Sequence, residues 1–358
     1  MENLVNPLFW RGKRVFLTGH TGFKGSWLSL WLQQMGVQLT GYALSPSTSP
    51  NLFEVANVAP GMHSIIGDIR DPNHLTQALA DSQAQIVFHL AAQALVGEGY
   101  RDPLGTYATN VQGTANLLEA VRNTPSVKAV VVVTSDKCYD NKEWPWPYRE
   151  NEPLGGHDPY SSSKACAELV TAAYRDSFLA QAGIAIASAR AGNVFGGGDW
   201  SASRLIPDLL AAFSTSQPAQ LRRPNAIRPW QHVLEPLAGY LILAERIAAT
   251  PTLAGAWNFG PGESDSRTAG DIASHLATLW GNGARWQAEN SDFPHEAGTL
   301  LLDSSRAKQH LGWQPRWTLD TALSATISWH KTWLTATDMR TFTLQQIEQF
   351  TADAQHGH

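Results

Sequence analysis

The segment RVFLTGHTGFKGSWLSLWLQQMG, residues 14–36, decides how this chain folds. Its opening residues, RVFLTG, form a short apolar, β-branched run that is typical of a buried strand. Gly19, Gly22 and Gly25 follow at intervals of three residues, and the stretch 26–34 has the apolar spacing of a helix. The segment therefore predicts a strand, a tight glycine turn and a helix in direct succession.

A turn of this kind is suited to a dinucleotide. Glycines let the backbone approach a pyrophosphate, and the free N–H groups and dipole of the opening helix favour its negative charge. The alternative is a glycine-rich helix cap without a ligand. Ser45 stands where an acidic residue usually holds the adenine ribose, and no Lys or Arg occurs between Gly25 and Asp68 to hold a 2′-phosphate. We therefore expect NAD rather than NADP, with Asp68 either accepting the adenine amino group or capping a helix.

The first half of the chain alternates apolar strands with helical stretches such as NHLTQALADS and TYATNVQGTANLLEAVRNT. This alternation predicts an α/β fold with a doubly wound parallel sheet, the Rossmann arrangement. The predicted strands are RVFLTG (14–19), VQLTGYAL (37–44), MHSIIGD (62–68), QIVFHLAA (85–92), VKAVVVVTSD (127–136) and AIASARAGNVFG (185–196).

After residue 192 the pattern loosens into loops that contain Pro and Arg, and into shorter helices. We expect a dinucleotide-binding domain at 1–192, rejoined by a helix and a strand at 229–260. A smaller, interleaved C-terminal substrate lobe is expected at 193–228 and 261–335. Residues 336–358 are expected to form a terminal helix or a frayed tail.

The segment GGHDPYSSSKACAELV, residues 155–170, places Tyr160 and Lys164 four residues apart at the start of a helix, so both side chains lie on one face. A buried ammonium beside a phenol stabilises the phenolate and lowers the phenol pKa from about 10, and a positive nicotinamide ring acts in the same direction. The pair predicts Tyr160 as a base toward a substrate hydroxyl. A chance surface pair is the alternative.

The chain resembles the extended short-chain dehydrogenase/reductase family over essentially its whole length, through GHTGFKG (19–25), FHLAAQ (88–93), Asn110 and YSSSK (160–164). Within it, the segment TSDKCYDN (134–141) resembles the nucleotide-sugar 4,6-dehydratases. Members acting on the dTDP sugar carry Thr, Asp and Glu where this chain has Ser135, Asp136 and Lys137. The lysine, with GHTGFKGSWL and RPWQHV, is most similar to the members acting on CDP-glucose.

The resemblance implies a set of site residues. The expected catalytic residues are Ser135, Asp136, Lys137, Tyr160 and Lys164. The expected NAD-binding residues are Gly19, Thr21, Gly22, Phe23, Gly25, Asp68, Ile69, Ala91, Ala92, Gln93, Asn110, Tyr160 and Lys164. The expected sugar-nucleotide contacts are Asn193, which matches a family position that contacts the substrate, and Arg204 and Arg228, for which solvated arginines are the alternative. Trp230, followed by Gln231 and His232, is expected to shape the nucleotide pocket, with an ordinary packed Trp as the alternative.

Chemistry explains why such a set is useful. If Tyr160 takes the 4-hydroxyl proton while C4 gives hydride to NAD, the new ketone acidifies the proton on C5. A neutral Lys137 could then remove that proton, and a protonated Asp136 could protonate the departing 6-hydroxyl. Ser135 either donates to the C4 oxygen or caps the strand end. Arg204 and Arg228 could neutralise the diphosphate.

Composition bounds the remaining possibilities. A net charge of −5 and a pI near 6.2 argue against nucleic-acid or anionic-membrane partners. Two distant cysteines, no apolar N-terminal signal and no metal-ligand spacing favour a cytoplasmic protein without a metal. By resemblance, a homodimer through the helix SSKACAELVTAAYRDSF (162–178) is expected. The rival functions are a dehydratase for a dTDP or GDP sugar, a sugar-nucleotide 4-epimerase and a redox-sensing module without catalysis.

Overall fold

The computed structural model describes residues 4–262, 265–289 and 299–356. Its strands, in chain order, are β1 (Arg14–Thr18), β2 (Gln38–Ala43), β3 (His63–Ile66), β4 (Ile86–His89), β5 (Ala129–Val133), β6 (Ala185–Arg190), β7 (Val194–Phe195), β8 (Ala219–Leu221), β9 (Ile227–Pro229), β10 (Gln231–His232), β11 (Gly255–Asn258), β12 (Ser266–Thr268) and β13 (Trp286–Ala288).

The described α-helices are α1 (Pro7–Trp10), α2 (Phe23–Gln34), α3 (Leu52–Val55), α4 (Pro72–Ser82), α5 (Val96–Arg101), α6 (Pro103–Tyr107), α7 (Gly113–Arg122), α8 (Pro159–Tyr174), α9 (Leu205–Ser214), α10 (Leu234–Ala249), α11 (Ala269–Trp280), α12 (Leu319–Leu334) and α13 (Met339–His356). Short π-helical segments occur at Ala108–Gln112, Arg175–Leu179 and Ala307–Leu311, and 3₁₀ turns at Asp136–Cys138 and Pro251–Leu253.

The main sheet has seven strands in the order β11-β6-β5-β4-β1-β2-β3, and every neighbouring pair is parallel. The strand order reverses between β1 and β4, so the connections that leave these two strands diverge and open a crevice at their carboxyl ends. The α/β doubly wound fold expected from the sequence is therefore confirmed, and part of each of the six predicted strands lies in this sheet.

Alternate residues of the central strands point to opposite faces of the sheet. Along β5, Ala129, Val131 and Val133 join the core beneath α2 and α10, while Val130 and Val132 join the core beneath α4 and α7. Both faces are covered by helices, which is why these strands read as continuous apolar runs.

One predicted strand, residues 185–196, is wrong in extent. β6 ends at Arg190, and Val194–Phe195 leaves the main sheet to pair with β10 as β7. The chain turns at Asn193, whose φ of 48° lies in the left-handed region that asparagine tolerates better than most residues. This turn carries the backbone across the carboxyl ends of the main strands.

A separate hydrophobic core is built from α9, α11 and α12 and includes Ile206, Leu276 and Leu323. α10 packs against β5 and β6, and β11 adds to the edge of the main sheet beside β6.

The division into a first domain of residues 1–192 with 229–260, and a second of residues 193–228 with 261–335, stays a prediction. Residues 339–356 form the helix α13 rather than a tail. None of the described helices has both the length and the apolar composition to cross a membrane.

Candidate active site

The glycine turn lies at the sheet crevice, and two of its three glycines, Gly19 and Gly25, cannot be replaced without a steric clash. Gly19 has φ of +80°, and a Cβ there would lie 2.7 Å from the backbone nitrogen of Ala91. A Cβ on Gly25 would lie 2.0 Å from the carbonyl oxygen of Gly19. Gly22 is the N-cap of α2, and no side chain caps this helix start. The turn thus presents bare backbone at a helix N-terminus, which fits a dinucleotide pyrophosphate.

Two further residues predicted for the cofactor lie within this turn. The Thr21 hydroxyl donates to the carbonyl of Leu44 at 2.8 Å, which ties the turn to the end of β2. Phe23, the first residue of α2, packs against the main core. The turn is therefore held on both sides by side chains of its own segment.

Asp68 does not cap a helix, because Asp71 is the N-cap residue of α4. The Asp68 carboxylate instead pairs with Arg70 at 2.6 Å, and the hydrogen bond from Arg70 lowers the pKa of Asp68. Arg70 lies just beyond residues 26–67, which contain no Lys or Arg, but its guanidinium is engaged by Asp68. Ile69 is buried, and its side chain packs against Gly113 of α7.

The segment after β4 forms the other wall of the crevice and contains Ala91, Ala92 and Gln93. The amide of Ala91 donates to the Thr18 hydroxyl at 3.2 Å. Asn110, within the first π-helical segment, exchanges hydrogen bonds of 2.8 and 2.9 Å with the backbone of Gln93. It also donates to the hydroxyl of Ser163 on α8 at 2.8 Å. Asn110 therefore braces this wall against the helix that carries Tyr160.

Ser135, Asp136 and Lys137 follow β5 after one intervening residue, and the 3₁₀ turn begins at Asp136 with Ser135 as its N-cap. The Asp136 side chain is buried, at 2% exposure, and accepts a hydrogen bond of 2.9 Å from the Ser135 hydroxyl. Its second oxygen lies 3.5 Å from the Asn193 amide nitrogen. A Cβ on Gly192 would lie 2.0 Å from the same oxygen, so the carboxylate rests on glycine backbone.

Tyr160 and Lys164 lie on the first turns of α8, which begins after the N-cap Asp158 with Pro159 at its first position. Both residues are buried, at 8% and 6% exposure. The Lys164 ammonium lies 3.4 Å from the carbonyl oxygen of Val133, at the end of β5. The pair therefore faces the strand that leads into Ser135 and Asp136.

The pKa of the Tyr160 phenol is opposite to the sequence-based expectation. Burial raises it to about 12, a hydrogen bond with Ser135 opposes that change, and the negative charge of Asp136 adds to it. Burial also lowers the pKa of Lys164 to about 8, against the raising effect of Glu168. Burial has the largest effect on the pKa of both groups. The four-residue spacing on the helix therefore does not by itself predict that the pKa of the phenol rises.

The predicted sugar-nucleotide contacts separate into two groups. Asn193 lies beside Asp136, and Arg204 pairs with Asp199 at 3.0 Å at the start of α9. Arg228 lies on β9, which pairs with β12. The Trp230 indole donates to the carbonyl of Arg267 at 3.0 Å, so these last two residues lie against β12.

Gln231 and His232 are core residues rather than pocket walls. The Gln231 amide donates to the carbonyls of Gly192 and Phe259, at 3.3 and 2.8 Å. His232 is fully buried, and burial lowers its pKa to about 3. Its ring contacts the rings of Trp27, Phe195 and Trp317.

Lys24, within the glycine turn, was missed as a site residue. Burial lowers its pKa to about 7, the cations Arg204 and Lys164 act in the same direction, and Asp136 and Asp199 oppose them. Its ammonium therefore lies within electrostatic range of residues from four other segments of the site. The signal was a basic residue in the first turn of α2, between Gly22 and Gly25.

A doubly wound sheet with this glycine turn at its switch point and a buried Tyr160–Lys164 pair defines a class, the extended short-chain dehydrogenases/reductases. The family model described as GDP-mannose 4,6 dehydratase matches residues 16–326. The chain belongs to this nucleotide-sugar 4,6-dehydratase family and is a hydro-lyase.

One relative supports this assignment, and two solved structures share the fold. The CDP-glucose 4,6-dehydratase of Salmonella typhimurium is 51% identical over 353 residues, covering 97% of this chain and 98% of the relative. A dTDP-glucose 4,6-dehydratase structure from Streptomyces venezuelae, with NAD bound, has a TM-score of 0.77 at 23% identity, covering 89% of this chain and 97% of that one. A UDP-glucose 4-epimerase from Thermotoga maritima also reaches 0.77, at 20% identity and 89% and 99% coverage, and shows the fold alone.

Proposed function

We propose that this enzyme converts CDP-glucose to CDP-4-dehydro-6-deoxy-glucose and water. The observation that carries the reaction type is the position of Asp136, which is buried in the turn after β5 and within electrostatic range of Tyr160. An epimerase needs only the pair, so Asp136 and Lys137 would have no role in it. The similarity to the Salmonella enzyme over nearly the whole chain supports CDP as the nucleotide.

NAD is the proposed cofactor, and bound NAD would accept the hydride from C4 and later return it to C6. The glycine turn and the start of α2 would hold the pyrophosphate. Asn110 and the segment 91–93 would border the nicotinamide side of the crevice, next to Tyr160 and Lys164. The absence of Lys and Arg from residues 26–67 and the engagement of Arg70 by Asp68 support NAD over NADP.

In the proposed oxidation, Tyr160 removes the proton of the 4-hydroxyl. The buried ammonium of Lys164 stabilises the phenolate, which burial alone disfavours. The Ser135 hydroxyl donates to the C4 oxygen as its negative charge develops. These three groups come from α8 and from the end of β5, so the C4 oxygen would sit between the two elements.

In the proposed elimination, Lys137 removes the proton from C5, which the neighbouring ketone has acidified. Asp136 gives its proton to the 6-hydroxyl, the C6–O bond breaks, and water leaves. When a hydride has returned to C6, the protonated Lys137 gives a proton back to C5. This division requires Asp136 protonated and Lys137 neutral when elimination begins. Lys137 is neutral again once C5 has its proton back, and the proton that Tyr160 took from the 4-hydroxyl replaces, directly or through solvent, the one that Asp136 gave to the leaving water.

The remaining contacts hold the nucleotide. Arg204 and Arg228 would neutralise the diphosphate through charge-assisted hydrogen bonds, and Trp230 would pack near the base. Asn193, held in a left-handed conformation beside Asp136, would contact the sugar. Such backbone conformations are concentrated at functional sites.

The test of this proposal is a comparison of CDP-glucose, dTDP-glucose and GDP-mannose as substrates under identical conditions. We expect rapid loss of one water from CDP-glucose, seen as a product about 18 Da lighter, and slow or no turnover of the others. A product of unchanged mass from CDP-glucose would indicate epimerisation and would contradict the proposal. Preference for a substrate with another nucleotide would overturn the assignment of CDP but not the reaction type.

We also propose a cytoplasmic homodimer. Both cysteines, Cys138 and Cys166, are free thiols, which fits a reducing compartment. Leu104 of α6 is 82% exposed and Leu169 of α8 is 59% exposed. The Tyr107 hydroxyl bonds Ser162 at 2.6 Å, which places α6 and α8 side by side. The two exposed leucines support pairing of these helices with a second copy.

A Leu169→Glu variant is expected to shift the protein from dimer toward monomer, because the new carboxylates would lose hydration at a helix-to-helix contact. Light scattering would measure the molar mass against the 39.0 kDa of one chain. Leu334→Glu, at a position 50% exposed on α12, is the matched control and should stay dimeric. Equal masses for the two variants would exclude the α8 contact.

A further inference from the structure

A buried carboxylate on α8 has no part in the chemistry described above. Glu168 lies one helical turn beyond Lys164 and two turns beyond Tyr160, so the three side chains follow one face of the helix. Only 4% of Glu168 is exposed. A carboxylate this deeply buried requires compensating donors.

The two oxygens of Glu168 accept hydrogen bonds from the segment that follows β5 and from β6. One accepts from the hydroxyl of Thr134, which directly precedes Ser135 and Asp136. The other accepts from Ser188 of β6 at 2.6 Å and from the Arg190 guanidinium at 2.8 Å. Although burial opposes ionisation, these partners keep the pKa of Glu168 below its usual value.

Arg190 continues the network to the far side of the catalytic turn. Its guanidinium donates to the Tyr139 hydroxyl at 2.8 Å and lies 4.9 Å from the centre of the Tyr139 ring. The Tyr139 hydroxyl donates in turn to Asn258, at the end of β11, at 2.7 Å. The turn that contains Asp136 and Lys137 is thus held at its start by Thr134 and at its end by Tyr139.

We propose that Glu168 is a positioning residue that fixes the oxidation pair on α8 relative to the elimination turn after β5. A buried ion pair contributes little net stability because desolvation offsets its attraction, but it fixes geometry where its partners lie on different elements. Here one carboxylate joins the helix of Tyr160 and Lys164 to the residue before Ser135. The sugar must present C4 to the helix while it presents C5 and C6 to the turn. The distance between the helix and the turn therefore decides whether oxidation and elimination both occur in one bound position of the sugar.

Glu168 also acts on Lys164 through its charge. The titratable groups that face Lys164 are Glu168 on its own helix, Cys138 after β5, Lys24 on α2 and His89 on β4, and Tyr160 is one turn away. The negative charge of Glu168 raises the pKa of Lys164, while burial lowers it. Removal of that charge should therefore deprotonate Lys164 at a lower pH.

The geometric test compares Thr134→Val with Ser188→Ala. Each variant removes one hydroxyl donor from the same carboxylate, but only Thr134 belongs to the catalytic turn. In Thr134→Val we expect reduced nicotinamide to accumulate during turnover of CDP-glucose, with water loss slowed about tenfold, the rate equivalent of one hydrogen bond. In Ser188→Ala, the ratio of the oxidation rate to the rate of water loss should stay at its wild-type value, and reduced nicotinamide should not accumulate. Thermal melting checks that the two variants lose similar stability.

The charge test uses Glu168→Gln and Glu168→Asp. In the glutamine variant the alkaline limb of the oxidation rate should move to lower pH, whereas the aspartate variant, which keeps the charge, should retain the wild-type limb. If the glutamine variant does not fold, the comparison of Thr134→Val with Ser188→Ala still decides. Equal slowing of both steps in Thr134→Val, or accumulation of reduced nicotinamide in both hydroxyl variants, would overturn the positioning role.

This inference rests on the proposed function, and the two can fail separately. The wild-type enzyme tests the function, because it either removes water from CDP-glucose or does not. The variants test the position of Glu168 only through the balance of the two steps in an enzyme that already performs both.

Discussion

Replacing Tyr160 with phenylalanine is expected to lower the rate of C4 oxidation by roughly 10²–10⁴-fold, the range that a positioned acid or base contributes. The change removes one hydroxyl and keeps the buried ring, so the packing at the start of α8 should survive. Lys164 would remain, but its Nζ is directed at the carbonyl oxygen of Val133, 3.4 Å away, at the end of β5. The rate of appearance of reduced nicotinamide in a single turnover measures the effect.

Tyr107→Phe is the matched control for this variant. Its hydroxyl also bonds to α8, through Ser162, but lies on the outer side of that helix. Oxidation at the wild-type rate is expected in the control. Oxidation at the wild-type rate in Tyr160→Phe would remove Tyr160 from the mechanism.

Lys137→Ala should separate the two halves of the reaction. We expect this variant to oxidise C4 normally and to lose water roughly 10²–10⁴-fold more slowly, because the proton on C5 would lack its base. Enzyme-bound reduced nicotinamide should accumulate while the mass of the sugar nucleotide falls only by the two hydrogens lost on oxidation. Absorbance and mass spectrometry of quenched samples measure the two quantities on one time course.

A second lysine nearby provides the control for Lys137→Ala. Lys142 pairs with Asp140 at 2.8 Å on a half-exposed part of the same loop, so Lys142→Ala changes the local charge equally. This control should dehydrate at the wild-type rate. Normal dehydration by Lys137→Ala would show that another group removes the proton from C5. Lys24 is the first candidate, because it is a buried lysine within electrostatic range of Asp136.

The sheet could be predicted from the sequence because strands buried on both faces leave continuous apolar runs, and the glycine turn ties the first run to a ligand-binding crevice. The end of β6 could not be predicted from the sequence. Its last predicted residues look like a strand, but the left-handed conformation of Asn193 depends on its tertiary setting beside Asp136, which no local pattern encodes. The π-helical segment around Asn110 is hidden for the same reason, since its residues keep helical spacing.

Ionisation was the least predictable property of the site. The spacing of Tyr160 and Lys164 places the two side chains together, but the balance of desolvation and charge depends on every element packed around them. The alternatives left open for Asp68 also needed the structure, which shows Arg70 as its partner and Asp71 as the helix cap. Glu168 was accessible in principle, because it repeats the four-residue spacing of Tyr160 and Lys164 along α8.

Turnover of CDP-glucose carrying deuterium at C4 tests the central claim most directly, because one pocket must both remove and return the same hydrogen. The account predicts a product that has lost one water and carries the deuterium at C6, with little loss to solvent. A product of unchanged mass with inverted C4, or deuterium released to the medium, would contradict it.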